Sequence, residues 1–196
     1  MSAPALRLRQ WISTPAARRA VGAAMVLAGL AAAACEAPYV NWRPVVPPID
    51  ARPLVIRQDA GGDGRFEAPR SGNRKHRGVD LAAELQTPVR AIRSGRVREA
   101  RFHRGLGWFV ELEHGGGLES LYAHLHDLQV TRGMRVRQGD IIGTVGKTGN
   151  ARRASITPHL HFEVHRHGAP VDPQTLGLTF AQARSVADAS DAGGGE

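Results

Sequence analysis

The sequence predicts an all-β domain built on an antiparallel β-sheet, and three observations support this prediction. The 196 residues include 23 glycines and 12 prolines but only 5% aromatic residues, a composition typical of short elements joined by many turns. Helical patterning is confined to TFAQARSVADA, where a helix is expected to begin from a cap at Thr179. Segments that alternate apolar and polar residues, each bounded by Gly or Pro, predict the strands: TPVRAIRSGRVREARF, GWFVELEH, LESLYAHL, MRVRQGDIIGTVG and HLHFEVH.

Residues 1–34 are expected to be a signal peptide that directs export. They contain four arginines and no acidic residue, and residues 20–34 are all small or apolar. This apolar run is shorter than the roughly 20 residues that a membrane-spanning helix needs. It ends in Ala32-Ala33-Ala34, the small-residue pattern that a signal peptidase accepts.

Cys35 is the only cysteine, so the sequence excludes an intramolecular disulfide. Its position after LAAAA resembles the lipobox of bacterial lipoproteins, although Ala32 stands where those proteins prefer leucine. The resemblance implies lipidation of Cys35, a membrane anchor and the location of a periplasmic, outer-membrane lipoprotein. The alternative is ordinary cleavage that leaves a free thiol, which is a liability in an exported protein.

Composition divides the rest of the chain into three parts. Residues 35–64 are rich in proline and end in the turn-like DAGGDG, which predicts an extended tether. Residues 65–175 hold the predicted strands and form the expected folded domain. Residues 176–196 are expected to form a short helix and a disordered tail, because the chain closes with the polar DASDAGGGE.

Charge argues against a nucleic-acid partner. The formal net charge is +8, but without the four arginines of the leader 22 basic residues face 18 acidic ones. No dense basic block is interleaved with aromatic residues. A mildly basic body is compatible with an anionic polymer or surface but identifies none.

Histidines and one aspartate form a candidate metal site. His159 and His161 lie two residues apart on a predicted strand, so their side chains point to the same face. The segment KHRGVD adds His76 and Asp80, and LYAHLHDL adds His124. A catalytic zinc takes three protein ligands and leaves one position open, a set that His76, Asp80 and one of the paired histidines can supply. Alternating histidines on a polar strand edge are the alternative.

Three motifs in order resemble the M23 family of zinc metallopeptidases, the LytM or lysostaphin type. They are His-x-Gly-x-Asp as HRGVD, Tyr-x-His-Leu as YAHL and His-Leu-His-Phe-Glu as HLHFE, within about residues 66 to 174. GDIIGTVGKTG and the closing VDP are also similar to that family. The resemblance implies a barrel- or sandwich-like antiparallel domain that binds Zn²⁺ through His76, Asp80 and His161. It implies that His124 and His159 are catalytic histidines that do not bind the metal.

The resemblance further implies the function of an endopeptidase that cleaves peptide cross-links of peptidoglycan, with D,D-endopeptidase activity favoured. A second hypothesis is a regulator that activates other cell-wall hydrolases, and such hydrolases or division proteins are its expected partners. A third is a metal-buffering protein that uses the density of histidines.

Several residues near the motifs receive secondary interpretations. Gly78 is expected to satisfy a backbone constraint near the metal, and Glu163 to accept a hydrogen bond behind a ligand or to be a plain strand residue. Tyr122 is expected to share the face of His124 and either to line the cleft or to have a packing role. The segment NARRASIT, residues 150–157, is longer than the short turn usual in the family and could narrow or gate the cleft. The histidines outside the motifs are expected in loops or on strand surfaces: His103, His114, His126, His165 and His167. Among them, the alternation of the strand places His165 nearest to the site.

Overall fold

The computed structural model describes residues 44–182. Within this range two short 3-10 turns, Gly149–Arg152 and Pro173–Leu176, accompany the strands. None of the described residues forms a helix long and apolar enough to cross a membrane. The strands are β1 (Leu54–Ile56), β2 (Gln58–Asp59), β3 (Gly62–Asp63), β4 (Pro69–Arg70), β5 (Arg74–Lys75), β6 (Val79–Ala82), β7 (Pro88–Arg90), β8 (Gly95–His103), β9 (Gly107–Glu113), β10 (Leu118–Leu128), β11 (Arg135–Val136), β12 (Ile141–Val145), β13 (His159–Arg166), β14 (Ala169–Val171) and β15 (Phe180–Gln182).

Most strands join one open sheet in the order β11-β8-β9-β10-β13-β6-β1-β15. Strand β12 pairs with the end of β10 and with β7, β14 pairs with β13, and two small hairpins, β2-β3 and β4-β5, stand apart. Neighbouring strands are antiparallel except for the parallel pair β1 and β15. The predicted all-β, antiparallel architecture is confirmed, and among the described strands the sheet is open rather than closed into a barrel.

The alternation along the central strands separates a dry face from a polar one. On β13, Leu160, Phe162 and Val164 are fully buried in the hydrophobic core. Each such side chain contributes roughly 1.5–3 kcal/mol when it is fully buried. The residues that alternate with them, His159 and His161, point to the opposite face because the side-chain period of a strand is two. The core therefore fixes the register that aims the polar residues at a cleft on the other side.

The folded domain begins before residue 65 and ends after residue 175. Ile49, Leu54 and Ile56 are buried in the core, and β1 pairs with β6 at Ile56 and Leu81. The Pro-rich segment predicted as a tether therefore contributes core residues and strands from about residue 49 onward. The predicted signal peptide and the lipidation site at Cys35 lie outside the described residues.

The helix predicted from Thr179 does not begin there. Residues Phe180–Gln182 form a strand that pairs in parallel with Leu54–Ile56. A strand edge on β1 is free to accept this pairing, and tertiary hydrogen bonding overrides a local helical preference. The remainder of the predicted helix and tail, from residue 183 on, lies outside the described residues.

Candidate active site

Three side chains on neighbouring elements converge on one point. His76 lies just before β6, Asp80 lies within β6, and His161 is paired with Asp80 across the β6-β13 ladder. The distances are 3.0 Å from His76 Nε2 to His161 Nδ1, 3.2 Å from His76 Nε2 to Asp80 Oδ1 and 2.9 Å from His161 Nδ1 to Asp80 Oδ1. A tetrahedral zinc with ligands at 2.0–2.1 Å separates them by about 3.3 Å, so this triangle is nearly the size that zinc requires. The structure thus brings together the three predicted ligands.

The hydrogen bonds behind the two histidines determine which ring nitrogen faces the site. His76 Nδ1 lies 2.8 Å from the carbonyl oxygen of Arg65, which can only accept, so Nδ1 carries the proton and Nε2 is free. His161 Nε2 lies 2.9 Å from Glu163 Oε1 and donates to it, so Nδ1 is the nitrogen that faces the site. Carboxylate and carbonyl acceptors behind the ligand histidines are the usual support of a metal centre.

His124 reaches the site through a break in the alternation of β10. Residues Leu118–Ala123 pair with β13, whereas Leu125 pairs with β12, and the register shifts around His124. His124 itself has a φ of 63°, the left-handed region that few non-glycine residues adopt. Such a bulge turns a side chain to the other face of the sheet. The imidazole of His124 consequently lines the cleft together with His159.

His124 and His159 both present an unprotonated nitrogen to the site. His124 Nδ1 donates to the carbonyl oxygen of Thr148 at 2.9 Å, and His159 Nδ1 donates to that of Thr157 at 2.7 Å. Their ring centroids are 5.1 Å apart, and His159 Nε2 lies 3.9 Å from Asp80 Oδ1. In each ring the lone pair of Nε2 is available to accept a proton next to the candidate metal position.

Burial keeps these two imidazoles neutral. The pKa of His124 is lowered to about 3, mainly by desolvation and also by the neighbouring His161 and His159, while Asp80 and the Thr148 carbonyl oppose the shift. Desolvation is also the largest cause of the lowered pKa of His159. Both side chains are therefore bases without a proton on Nε2 at neutral pH.

The metal-facing part of the site favours a positive charge. Desolvation lowers the pKa of His161, but hydrogen bonds and charges from Asp80 and Glu163 outweigh it and raise the pKa to about 9. Burial raises the pKa of Asp80, but its close contacts with the imidazoles of His161 and His76 outweigh this effect and hold the pKa well below its ordinary value. The carboxylates that favour a proton at this point also favour a cation.

The cleft is bordered by the inserted segment, which we call the cleft loop, residues 150–157. Asn150, Ala151, Arg153 and Ile156 line the same cleft as the histidines. The loop is tied down at both ends: Asn150 N donates to Gly105 O at 2.8 Å, and Thr157 N donates to Asp59 Oδ2 at 2.7 Å. It forms a wall of the cleft rather than a free flap.

The secondary predictions have mixed outcomes. Glu163 accepts from His161 and also lies 2.6 Å from His165 Nε2, so both residues belong to the site. Gly78 is required because a Cβ there would lie 2.2 Å from Phe162 O. Of the two alternatives for Tyr122, packing is confirmed, since its side chain is fully buried in the hydrophobic core. The expectation that it shares the face of His124 is wrong, because His124 lines the cleft and Tyr122 does not.

Among the remaining histidines, the prediction for His114 is wrong because the residue is buried. Its Nε2 lies 2.6 Å from Ser120 Oγ, and its Nδ1 lies 3.1 Å from Ser94 O. His103, His126 and His167 are exposed, as expected.

Sequence reasoning missed two arginines of the site. Arg57 Nη2 and Arg70 Nη2 contact Asp80 Oδ2 at 2.8 and 3.2 Å. Both precede the first motif, and Arg57 lies in the segment interpreted as a tether. The sequence signal that could have identified Arg57 is the segment LVIR, in which an arginine directly follows three apolar residues of a strand.

Comparison with known proteins identifies the family. The sequence profile of peptidase family M23 matches residues 74–173, which include all five converging side chains. The chain belongs to peptidase family M23. The match covers β5 to β14 and leaves β1 to β4, with Arg57, outside it.

Two relatives of this M23 protein have names that indicate different functions, one an enzyme and the other an activator. The DD-carboxypeptidase/endopeptidase Mpg of Neisseria meningitidis serogroup B is 42% identical over 105 residues, 54% of this chain and 23% of the relative. The murein hydrolase activator EnvC of Escherichia coli K12 is 37% identical over 110 residues, 56% of this chain and 25% of the relative. The chain thus spans about a quarter of the length of these relatives.

Solved structures of two peptidases share the fold. A zinc-containing peptidase from Vibrio cholerae superposes with a TM-score of 0.53 at 32% identity, covering 66% of this chain and 39% of that one. The catalytic domain of the antimicrobial peptidase lysostaphin from Staphylococcus simulans gives a TM-score of 0.51 at 34% identity, covering 59% of this chain and 90% of that one. The lysostaphin-type fold predicted from the motifs is confirmed.

Proposed function

We propose that this M23 protein is a zinc-dependent endopeptidase that hydrolyses peptide cross-links of bacterial peptidoglycan. One observation carries the proposal: three ligand-type atoms form a triangle of metal size, and two neutral histidines present free nitrogens beside it. Packing alone does not account for such a cluster, since buried polar rings are costly without partners. The family and the endopeptidase relative support the reaction type.

The donor set fits zinc. Two imidazole nitrogens and one carboxylate oxygen, from His76, His161 and Asp80, match the three-ligand pattern of catalytic zinc with a fourth position open. When bound there, zinc would polarise the scissile carbonyl and activate a water molecule for attack. The acceptors Arg65 O and Glu163 hold the two imidazoles in the tautomers that this binding needs.

His159 and His124 supply the proton transfers in this proposal. His159 Nε2 is the acceptor close to Asp80, so it takes the proton that the attacking water loses. His124 Nε2 stands on the neighbouring ring and receives this proton from His159. With it, His124 stabilises the developing oxyanion by a hydrogen bond and then passes the proton to the leaving amine, so the amine gains the proton that the water lost. The Thr157 and Thr148 carbonyls keep both rings oriented through the cycle.

The compartment and the bond follow from separate considerations. The leader and Cys35 predict an exported lipoprotein anchored to the outer membrane and facing the periplasm, where peptidoglycan is the available polymer. A D,D cross-link is the favoured substrate, since a relative is named a DD-carboxypeptidase/endopeptidase. The basic side chains along the cleft, including Arg74, Arg77 and Arg153, suit the free carboxylates of a peptide stem.

The test is digestion of purified peptidoglycan by residues 36–196, with and without a zinc chelator, followed by mass analysis of the released fragments. We expect chelator-sensitive loss of cross-linked fragments, and loss of activity in His76→Ala. The matched control is His126→Ala, because His126 is exposed and lies outside the cleft. Intact cross-links after incubation with folded, zinc-loaded protein would contradict the proposal.

A regulatory function is the second candidate. It is favoured by the similarity to the activator EnvC and by the cleft loop that walls the site. A regulator would stimulate a separate cell-wall hydrolase, and His76→Ala would retain that stimulation. An endopeptidase would lose its zinc and its hydrolysis together.

A further inference from the structure

The two oxygens of Asp80 have different partners. Oδ1 faces His161 Nδ1 at 2.9 Å and His76 Nε2 at 3.2 Å. Oδ2 accepts hydrogen bonds from Arg57 Nη2 at 2.8 Å and from Arg70 Nη2 at 3.2 Å. One oxygen is therefore directed at the candidate metal position, and the other is held away from it by two guanidinium groups.

Arg57 is tied to Asp80 through its main chain as well. Arg57 N donates to Asp80 O at 2.8 Å, and Gly64 bridges the two residues by donating to Arg57 O at 2.9 Å and accepting from Asp80 N at 2.8 Å. These bonds set the distance between the two backbones. The position of the Arg57 backbone relative to Asp80 is therefore fixed, and its guanidinium contacts the Asp80 carboxylate from that position.

Arg57 is a costly choice if packing is its role. Its side chain is 4% exposed, and among residues 44–182 its Nε has no hydrogen-bond partner. A well-packed apolar residue in place of a buried ion pair is often neutral or stabilising. The orientation of Asp80 is a function that an apolar residue cannot perform.

Asp59 connects this arginine to the cleft loop. Asp59 Oδ1 accepts from Arg57 Nη1 and from Gly61 N, and Asp59 Oδ2 accepts from Thr157 N at 2.7 Å. Thr157 is the last residue of the cleft loop, and its carbonyl holds the ring of His159. One continuous chain of hydrogen bonds thus runs from the loop through Asp59 and Arg57 to the ligand Asp80.

We propose that Arg57 is a positioning residue of the metal centre. It restricts Asp80 to binding zinc through Oδ1 alone and, through Asp59, couples the conformation of the cleft loop to zinc affinity. The inference rests on the proposed function only in taking zinc as the metal. Groups that support a metal ligand in this way change metal affinity by about 10- to 100-fold when they are removed.

The experiment measures zinc affinity by competition with a chromophoric chelator in residues 36–196, together with the unfolding temperature of each zinc-free variant. Arg57→Met is expected to bind zinc about 10- to 100-fold more weakly than the wild type, and Arg57→Lys to fall between them. Asp59→Asn, which keeps Arg57 but removes its second ion pair, is expected to weaken zinc binding less. The matched control is Arg90→Met, which breaks the ion pair between Arg90 and Asp50. Neither residue lines the cleft.

A second readout separates positioning from stability. With cobalt in place of zinc, the d–d absorption of the Arg57 variants is expected to shift in energy and intensity, because Asp80 Oδ2 loses the nearer of its two guanidinium partners and keeps only Arg70. A merely structural arginine would lower the unfolding temperature and leave affinity and spectrum unchanged, and that result in folded Arg57→Lys and Asp59→Asn overturns the inference. Zinc binding without hydrolysis of peptidoglycan would contradict the proposed function instead, so the two failures are distinguishable.

Discussion

At the scale of single residues, the site depends on which nitrogen of each histidine is protonated. Carbonyl acceptors at Thr148 and Thr157 assign the proton of His124 and His159 to Nδ1. We expect His124→Ala and His159→Ala each to lower the rate of peptidoglycan hydrolysis by about 10²–10⁴-fold, because a positioned proton-transfer group is lost. Both variants should retain one zinc per chain, as measured by metal analysis, since neither residue is among the three converging ligands.

The control for this prediction is His103→Ala, an exposed histidine that also lines the cleft. It should keep most of the wild-type activity. Full activity in either His124→Ala or His159→Ala would remove that residue from the proposed proton transfers.

The buried His114 makes a prediction about stability. Desolvation lowers its pKa from 6.5 to about 4, an effect that the Ser94 carbonyl partly opposes. As the pH falls from 6.5 to 4, His114 is protonated in the unfolded chain but stays neutral in the folded chain. The free energy of unfolding that this residue contributes above pH 6.5 is therefore lost progressively towards pH 4. His114→Gln, which keeps a polar side chain beside Ser120 but does not titrate, should reduce this loss. The difference is on the order of 2 to 3 kcal/mol.

Urea unfolding of the wild type and His114→Gln at pH 7 and pH 4.5 checks the prediction. The comparison concerns the change in free energy of unfolding with pH, so a constant cost of the substitution cancels. Equal pH dependence in the two proteins would show that the proton uptake belongs to other groups.

At the scale of elements, the close approach of β6 and β13 is a condition for the metal site. A Cβ on Gly78 would lie 2.2 Å from Phe162 O and 2.9 Å from Glu163 Cγ. Gly78→Ala must therefore push the start of β6 away from β13. Overpacking of this kind typically lowers the free energy of unfolding by about 1–3 kcal/mol. Because His76 precedes this point and His161 follows on β13, zinc affinity should fall as well.

Gly105→Ala is the matched control, since a Cβ there would meet its nearest heavy atoms at 3.5 Å. It should leave the unfolding temperature and the zinc affinity close to those of the wild type. A Gly78→Ala protein with wild-type zinc affinity would contradict the requirement for this approach.

The elements also show how far the sequence alone could go. Alternation placed His159 and His161 on one face of β13, and the motifs supplied the partners on β6 and β10. Tyr122 was misplaced because a strand period of two assumes regular pairing, and the bulge at His124 reverses the face within two residues. No local sequence pattern predicts that bulge, because it arises where β10 changes its pairing from β13 to β12.

The same limit applies to Arg57. It stands 23 residues before Asp80 in the chain, in a segment whose prolines and glycines suggest a linker. Its role depends on the pairing of β1 with β6, a contact between distant parts of the sequence. Local composition cannot report such a contact.

At the scale of the whole molecule, zinc would join parts of the sequence that are far apart. His76 and His161 are separated by 85 residues, and Asp80 shares a strand pair with His161. An ion that binds only the folded state raises the free energy of unfolding. The increase grows with the logarithm of the ratio of ion concentration to Kd and is about 4 kcal/mol when the concentration is about a thousand times Kd. For a domain of this size that corresponds to roughly 10 °C in Tm.

We therefore expect a chelator to lower the Tm of the wild type by roughly this amount and to leave His76→Ala unaffected. His126→Ala, with its exposed ring outside the cleft, should show the full wild-type shift. A metal-buffering protein would instead bind several ions weakly through its many histidines, so its Tm would change gradually with zinc and both variants would respond alike. Titration of zinc against Tm, with the bound metal counted per chain, distinguishes one tight site from many weak ones.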